Sequence, residues 1–248
     1  MANRTPFHVS FVVISLLAHL SFSISQKTPL TCSKIITLDK GECVKARDSI
    51  SYTPRGTTKP IERVIPVSYS KCFILVNTTR STAEVFSKAD IDKNINQILD
   101  KCSSHAGNYK PDTNLDVQIR DIPSYLTNVY GAFQHMNEAV CNTDSDGGKN
   151  DKKDCTDAFN KIPTNNLDQL LDKPGGKTAS KIISLEKSCK IEIASTNDLP
   201  VTEQKKKLFS SLNKILNSCN KQSGYLGLEK GTDGLNGRLS MKTLRPDA

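Results

Sequence analysis

The first helical spacing in the sequence is Cys43, Ala46 and Ile50, three and four residues apart and therefore on one face of a short helix. Before it, residues 30–38 carry Ile35, Ile36 and Leu38, a β-branched run suited to a strand. Pro54-Arg55-Gly56 ends the helix, because neither proline nor glycine sustains one. Residues 64–69 predict a second strand, and Pro66, which has no N–H to give a ladder, places it at a sheet edge. The apolar run 72–76 predicts a central strand. Ser87 is positioned to cap a helix over 88–102, with Asp90 in its first turn and Ile91, Ile95, Ile98 and Leu99 along one side. Leu115, Val117 and Ile119 then alternate as a half-buried strand does.

The same plan is written again 117 residues further on. Cys72 to Cys102 corresponds to Cys189 to Cys219, and Ile91, Ile95, Ile98 and Leu99 correspond to Leu208, Leu212, Ile215 and Leu216. Upstream, Cys43, Ala46 and Ile50 recur as Cys155, Ala158 and Ile162. A unit of this length is a duplicated domain and not a short solenoid repeat. The order β-α-β-β-α-β predicts an α+β fold: two tandem ferredoxin-like split βαβ sandwiches, each with both helices on one face of a four-stranded antiparallel sheet. In the second unit a helix is expected near 155–162, strands at 181–185 and 189–194, a helix over 202–219 and a last strand at 235–241. Its first strand is the weak point, since 122–140 spaces Leu126, Val129, Tyr130 and Phe133 as a helix would. The expected organisation is a signal peptide over 1–25, a first repeat over 26–121, a linker or first element of the second repeat over 122–140, and a second repeat over 141–248.

The signal peptide rests on Arg4, an apolar run from Phe11 to Leu20 and small residues at Ser21, Ser23 and Ser25. No second apolar run follows, so no membrane span is expected in the mature chain. All eight cysteines lie beyond the signal, and no two are closer than 11 residues. Zinc sites use close pairs, so this count points to disulfides formed along an oxidising route. Pairing alike inside each repeat leaves three schemes. The expected topology brings Cys43, Cys72 and Cys102 to one end of the sheet. This favours Cys43–Cys72 with Cys32–Cys102, and Cys155–Cys189 with Cys141–Cys219, and leaves Cys32–Cys43 as the rival for Cys32.

Charge and chemistry add less. Lys+Arg number 34 against 26 Asp+Glu, a net charge of +8, with Lys205-Lys206-Lys207 the densest run. This is an ordinary solvated basic surface that would also suit an anionic partner. There is no Trp and aromatics are 6% of the chain, so sugar-stacking sites are not suggested. Of the mature histidines, His105 matches Gln222 in the other repeat and His135 stands alone, which argues against a duplicated catalytic group. No G-x-S-x-G or H-E-x-x-H occurs. Pro174-Gly175-Gly176-Lys177-Thr178 imitates the end of a phosphate loop, but Leu171 stands where the motif needs glycine and the preceding 167–172 segment reads as helix. A plain turn is expected there. Asn142-Thr143-Asp144-Ser145-Asp146-Gly147 opens like a calcium loop, but its twelfth position is Lys153, which would oppose the ion. No catalytic, cofactor or metal site is expected. Asn77-Thr78-Thr79 is an N-glycosylation acceptor, placed by this reading just after the third strand.

The spacing Cys43-x-x-Ala46, the strand-leading Ser-Lys-Cys72 and Lys-Ser-Cys189, and the helix endings Ile-Leu-x-x-Cys resemble small secreted proteins of rust fungi. Their units are similar to the smut-fungus killer-toxin α/β sandwich. The resemblance covers nearly the whole mature chain as two units. It implies a secreted effector acting in the host apoplast or translocated into host cells. Some toxins of that type are cut between units. Here the dibasic Lys152-Lys153 falls inside the second cysteine frame, and no toxic residue of the family is matched. The expected function is a secreted, non-enzymatic interaction protein, a fungal virulence effector or toxin-like antagonist, with a host or competitor protein or glycan as partner. The alternative is a structural or protective component of the fungal cell wall or extracellular matrix. Nucleic-acid binding on the open sheet is disfavoured, since Phe73 is the one aromatic in the central strands and its counterpart is Lys190.

Overall fold

A computed structural model describes residues 28–78, 85–111, 114–122, 136–142 and 149–246. The first unit contains β1 (Thr28–Thr37), α1 (Lys40–Asp48), β2 (Val64–Tyr69), β3 (Cys72–Thr78), α2 (Lys88–Lys101), β4 (His105–Lys110) and β5 (Leu115–Asp121). The second contains β6 (Ala139–Cys141), α3 (Lys152–Lys161), β7 (Lys181–Glu186), β8 (Cys189–Ser195), α4 (Lys205–Ser218), β9 (Gly224–Leu228) and β10 (Leu239–Leu244). The chain is a cysteine-rich tandem-domain protein of α+β class. The expected signal peptide and calcium-like loop, His135 and most of the 122–140 segment lie outside the described residues. No helix among the described residues is long and apolar enough to cross a membrane.

Each unit is built on a five-stranded sheet, ordered β1-β4-β5-β3-β2 and β6-β9-β10-β8-β7, with every neighbouring pair antiparallel. This corrects the four-stranded ferredoxin-like expectation. That topology would set the first strand inside the sheet, whereas among the described residues β1 is an edge strand that pairs only with β4. The missed strands are β4 and β9. His-Ala-Gly-Asn-Tyr-Lys and Gly-Tyr-Leu-Gly-Leu lack the alternation that marks a strand, and their glycines read as loop. The glycines are there because a helix end presses on the strand. A Cβ on Gly107 would come within 2.6 Å of Ile98 Cγ2 and 2.8 Å of Cys102 Sγ, and one on Gly224 would meet Ile215 and lie 2.8 Å from Cys219 Sγ.

Helices α1 and α2 cover one face of the first sheet, where Cys43, Ala46, Ile74, Val76, Ile95 and Ile98 form a closed core. In the second unit α3 and α4 do the same over Cys155, Ala158, Ile191, Ile193, Leu212 and Ile215. Asp39, Ser87 and Asp151 cap α1, α2 and α3 by accepting hydrogen bonds from main-chain N–H groups of the first turn. Helix α4 has no side-chain cap of its own. Asp168 reaches it from a loop and accepts from Lys205 N at 2.7 Å through its carbonyl and from Lys206 N at 3.1 Å through its carboxylate. That loop was expected as helix over 167–172, but it is a turn closed by a Thr164–Leu170 bridge with Asp168 at φ 60°. The last strand starts at Leu239 and not 235, because 229–238 is a loop bent at Gly231 and Gly234, both with positive φ.

Candidate functional site

The eight cysteines are joined as Cys32–Cys102, Cys43–Cys72, Cys141–Cys219 and Cys155–Cys189, with Cα–Cα distances of 5.0–5.3 Å. In each unit one link ties the first helix to the first residue of β3 or β8, just after the hairpin turn, and the other ties the first strand to the end of the second helix. The same turn is held a second way in both units. Lys71 N donates to the Glu42 carboxylate at 3.2 Å, and Ser188 donates through N and Oγ to Asp154 at 3.3 and 2.7 Å. The Ser188 bonds hold the Asp154 carboxyl below the usual carboxylate range.

Between the units runs a polar seam that sequence reasoning did not find. Glu62, 1% exposed, accepts at Oε1 from Leu235 N (2.7 Å), Asn236 N (2.6 Å) and Asn236 Nδ2 (3.2 Å). Its Oε2 accepts from Lys59 N at 3.2 Å. Asn236, 5% exposed, also bridges Ser51: its Oδ1 accepts from Ser51 N at 2.7 Å and its Nδ2 donates to Ser51 O at 3.0 Å. Gly234 is required here, since its φ is +98° and a Cβ would lie 2.9 Å from Glu62 Oε1. Asn197, itself buried, braces the same loop by donating from Nδ2 to Asp233 O at 2.7 Å. In sequence, Pro-Ile-Glu-Arg reads as a solvated loop, and a glutamate buried only by another domain leaves no local signal.

Beside the seam lies a half-open cavity of about 250 Å³, lined in part by Ser49, Ser51, Met136, Glu229, Lys230 and Arg238. Burial pushes the Arg238 guanidinium pKa down, partly offset by Glu229. The cavity can offer hydrogen-bond donors to a small polar group. Its Ser49 Oγ is committed to Ala46 O at 2.7 Å, and among the described residues no imidazole lines it.

The other expected candidates fall elsewhere. Asn77 is half-buried inside β3, paired with Val64 and Asp116, and not beyond the strand end as expected; its sequon Thr79 lies outside the described residues. The His105 ring is 3.1 Å from both Cys102 O and Ser103 O through Nδ1, at the end of α2. Residues 173–176 form a turn closed by Gly176 N to Lys173 O, and Lys177 N donates to Asp172. Lys153 pairs with Asp157 on the surface of α3. Lys205 is turned onto the end of α3, donating to Asn160 O and Ile162 O at 2.9 and 2.5 Å, and burial lowers its pKa against the pull of Asp168. No group of metal-ligating side chains is assembled among the described residues.

The outward-facing positions of the two sheets differ more than the inward ones. Phe73 is buried beneath Arg120, whose guanidinium sits 4.9 Å from the ring centroid, while its counterpart is Lys190. Leu75 corresponds to Glu192, which is held between Lys242 at 2.7 Å and Lys181 at 3.1 Å. Pro66 of β2 corresponds to Ile183 of β7, 47% exposed.

No family model matches the chain, and no curated protein matches it. Among solved structures, the chain is similar to the tandem DUF26 ectodomain of the cysteine-rich receptor-like protein PDLP8 from Arabidopsis thaliana. The identity is 10% and the TM-score 0.29, over 90% of this chain and 98% of that one. The tandem DUF26 ectodomain of Arabidopsis thaliana PDLP5 gives 10% identity and a TM-score of 0.26, over 87% of this chain and 98% of that one. Superpositions at this level carry no argument about fold or function.

Proposed function

We propose that this chain is a secreted, non-enzymatic interaction protein, acting as a fungal virulence effector or toxin-like antagonist on a host or competitor partner. The observation that carries the reading is the contrast between two fixed interiors and two unlike exteriors. The cysteines and aliphatic core positions are matched across the units, while Phe73, Leu75 and Pro66 are answered by Lys190, Glu192 and Ile183. Two disulfides per unit and the buried Glu62 seam hold those unlike faces in one frame. Four disulfides and no free cysteine support folding along an oxidising, secretory route. The fungal assignment rests on the resemblance of the cysteine frame to rust-fungus secreted proteins. The non-enzymatic assignment takes His105 as a structural side chain, its Nδ1 lying against the Cys102 and Ser103 carbonyls.

The test is to cross-link tagged, secreted protein in host tissue and to assay the purified protein on polysaccharide, RNA and peptide substrates. A specific partner captured without turnover of any substrate is the expected result. Turnover of any of the three overturns the reading.

A further inference from the structure

Among the described residues the two sheets have four edges, and three of them carry a device that discourages further pairing. β1 is interrupted by two register shifts, β6 is three residues long, and β2 carries Pro66. Bulges, shortness and proline are each ways of blunting an edge. β7 has none of them. Its sequence Lys-Ile-Ile-Ser-Leu-Glu is regular through six paired positions with β8, and among the described residues nothing pairs with its outer side.

The ladder phase sets what that outer side offers. Ser195 N donates to Ser180 O, so even-numbered residues of β7 bond inward to β8. Lys181, Ile183 and Leu185 therefore direct their N–H and C=O groups away from the sheet. In β2 the phase is the same: Thr78 N donates to Arg63 O, which turns residue 66 outward, and there proline has removed the N–H. One edge is blocked at the very position where its twin is open. Ile183 and Leu185 are 47% and 52% exposed on that strand, two residues apart on one face. The lysine that would otherwise guard the edge, Lys181, is drawn back to Glu192 at 3.1 Å.

We infer that β7 is a strand-addition site for an extended acidic segment of a partner protein, with aliphatic residues at alternate positions. This rests on the interaction role proposed above and names the kind of partner. The aliphatics would pack beside Ile183 and Leu185, and an acidic end would meet Lys187 on a chain of net charge +8. A second copy fits less well. The antiparallel self-pairing that sets Ile183 against Ile183 puts Lys181 against Leu185, and the one that sets Ile183 against Leu185 puts Lys181 against Lys187.

The probe is a seven-residue peptide alternating valine and threonine between aspartate ends, followed by amide exchange and fluorescence anisotropy on the whole protein. The expected result is binding that slows exchange at Ile183 and Leu185, and that Ile183→Pro weakens by about tenfold or more through the lost N–H and the ring's bulk. Ile183→Pro should fold, because Pro66 holds the matched place in β2; an unchanged thermal transition checks this. Ser184→Thr, which keeps the outward N–H groups and the hydroxyl that donates to Ala158 O, should leave peptide binding in place. No binding to the wild-type protein, equal binding by Ile183→Pro, or equal binding of a lysine-ended peptide overturns the assignment. So does a wild-type dimer in sedimentation that Ile183→Pro abolishes, since the edge would then belong to a second copy. A cross-linked partner seated on another face would remove this edge while keeping the interaction role.

Discussion

The two units are bonded alike inside and differ on the outer face of the sheet. In the first, Leu75 occupies the middle of that face beside buried Phe73; in the second, the same positions are Glu192 and Lys190. Interiors stayed matched because a disulfide and a close-packed helix end fix each position: Gly107 under Cys102 and Gly224 under Cys219 leave no room for a methyl group. Exteriors diverged because a β-sheet tolerates exchange on the face that its helices do not cover. The lesson is that the cysteine frame sets the fold and leaves the outer layer free to take on recognition.

If the frames are equivalent, opening the same link in each should cost the same. Cys43→Ser with Cys72→Ser opens a loop of 29 residues, and Cys155→Ser with Cys189→Ser one of 34. Each pair should lower stability in urea titration by ~3–4 kcal/mol, agreeing within ~0.5 kcal/mol. A large loss in one unit only would break the equivalence.

The seam tests what the units do to one another. Glu62→Ala strands the N–H groups of Leu235, Asn236 and Lys59, at a cost of about 1–3 kcal/mol. The loss should appear in thermal unfolding and as faster amide exchange over 235–237. Unchanged exchange there would mean that the seam contributes nothing.

Helix starts sharpen the contrast. Ser87 Oγ caps α2, while Gln204 makes no side-chain cap on α4, where Asp168 serves instead. Ser87→Ala should cost ~1 kcal/mol and Gln204→Ala less than ~0.3 kcal/mol in the same denaturation assay. Equal costs would deny Asp168 its capping part.

The smallest effect concerns Glu192. Burial raises its carboxyl pKa, but the bonds from Lys242 and Lys181 outweigh that and hold it below the ordinary value of 4.5. A depressed folded pKa means stability that is present above pH 4.5 and is lost as the pH falls through the depressed value. The double change Glu192→Leu with Lys242→Gln, which copies Leu75 and the Gln118 paired with it, should change stability by less than ~1 kcal/mol at neutral pH. It should also flatten the acid limb of a melting-temperature profile. An unaltered acid limb would show that the lysines do not act through Glu192.

The sequence was most legible where spacing reflects packing. Ile91, Ile95 and Ile98 announced α2, and Ser87 its start, because helix periodicity and capping are local. The edge assignment of β2 followed from Pro66 for the same reason. β4 and β9 were illegible because their glycines answer to a helix end reached only after folding. The start of α4 was misplaced because its cap comes from Asp168, 36 residues before Gln204. Glu62 and Asn236 were invisible because each is buried by the other's unit. The open character of β7 needed the ladder phase, which pattern alone does not supply.

The most direct test of the twin-frame account is peptide mapping of the secreted protein without reduction. Four cross-linked peptide pairs are predicted, joining Cys32 to Cys102, Cys43 to Cys72, Cys141 to Cys219 and Cys155 to Cys189. A bond between any cysteine of the first set, up to Cys102, and any of the second, from Cys141, would contradict it.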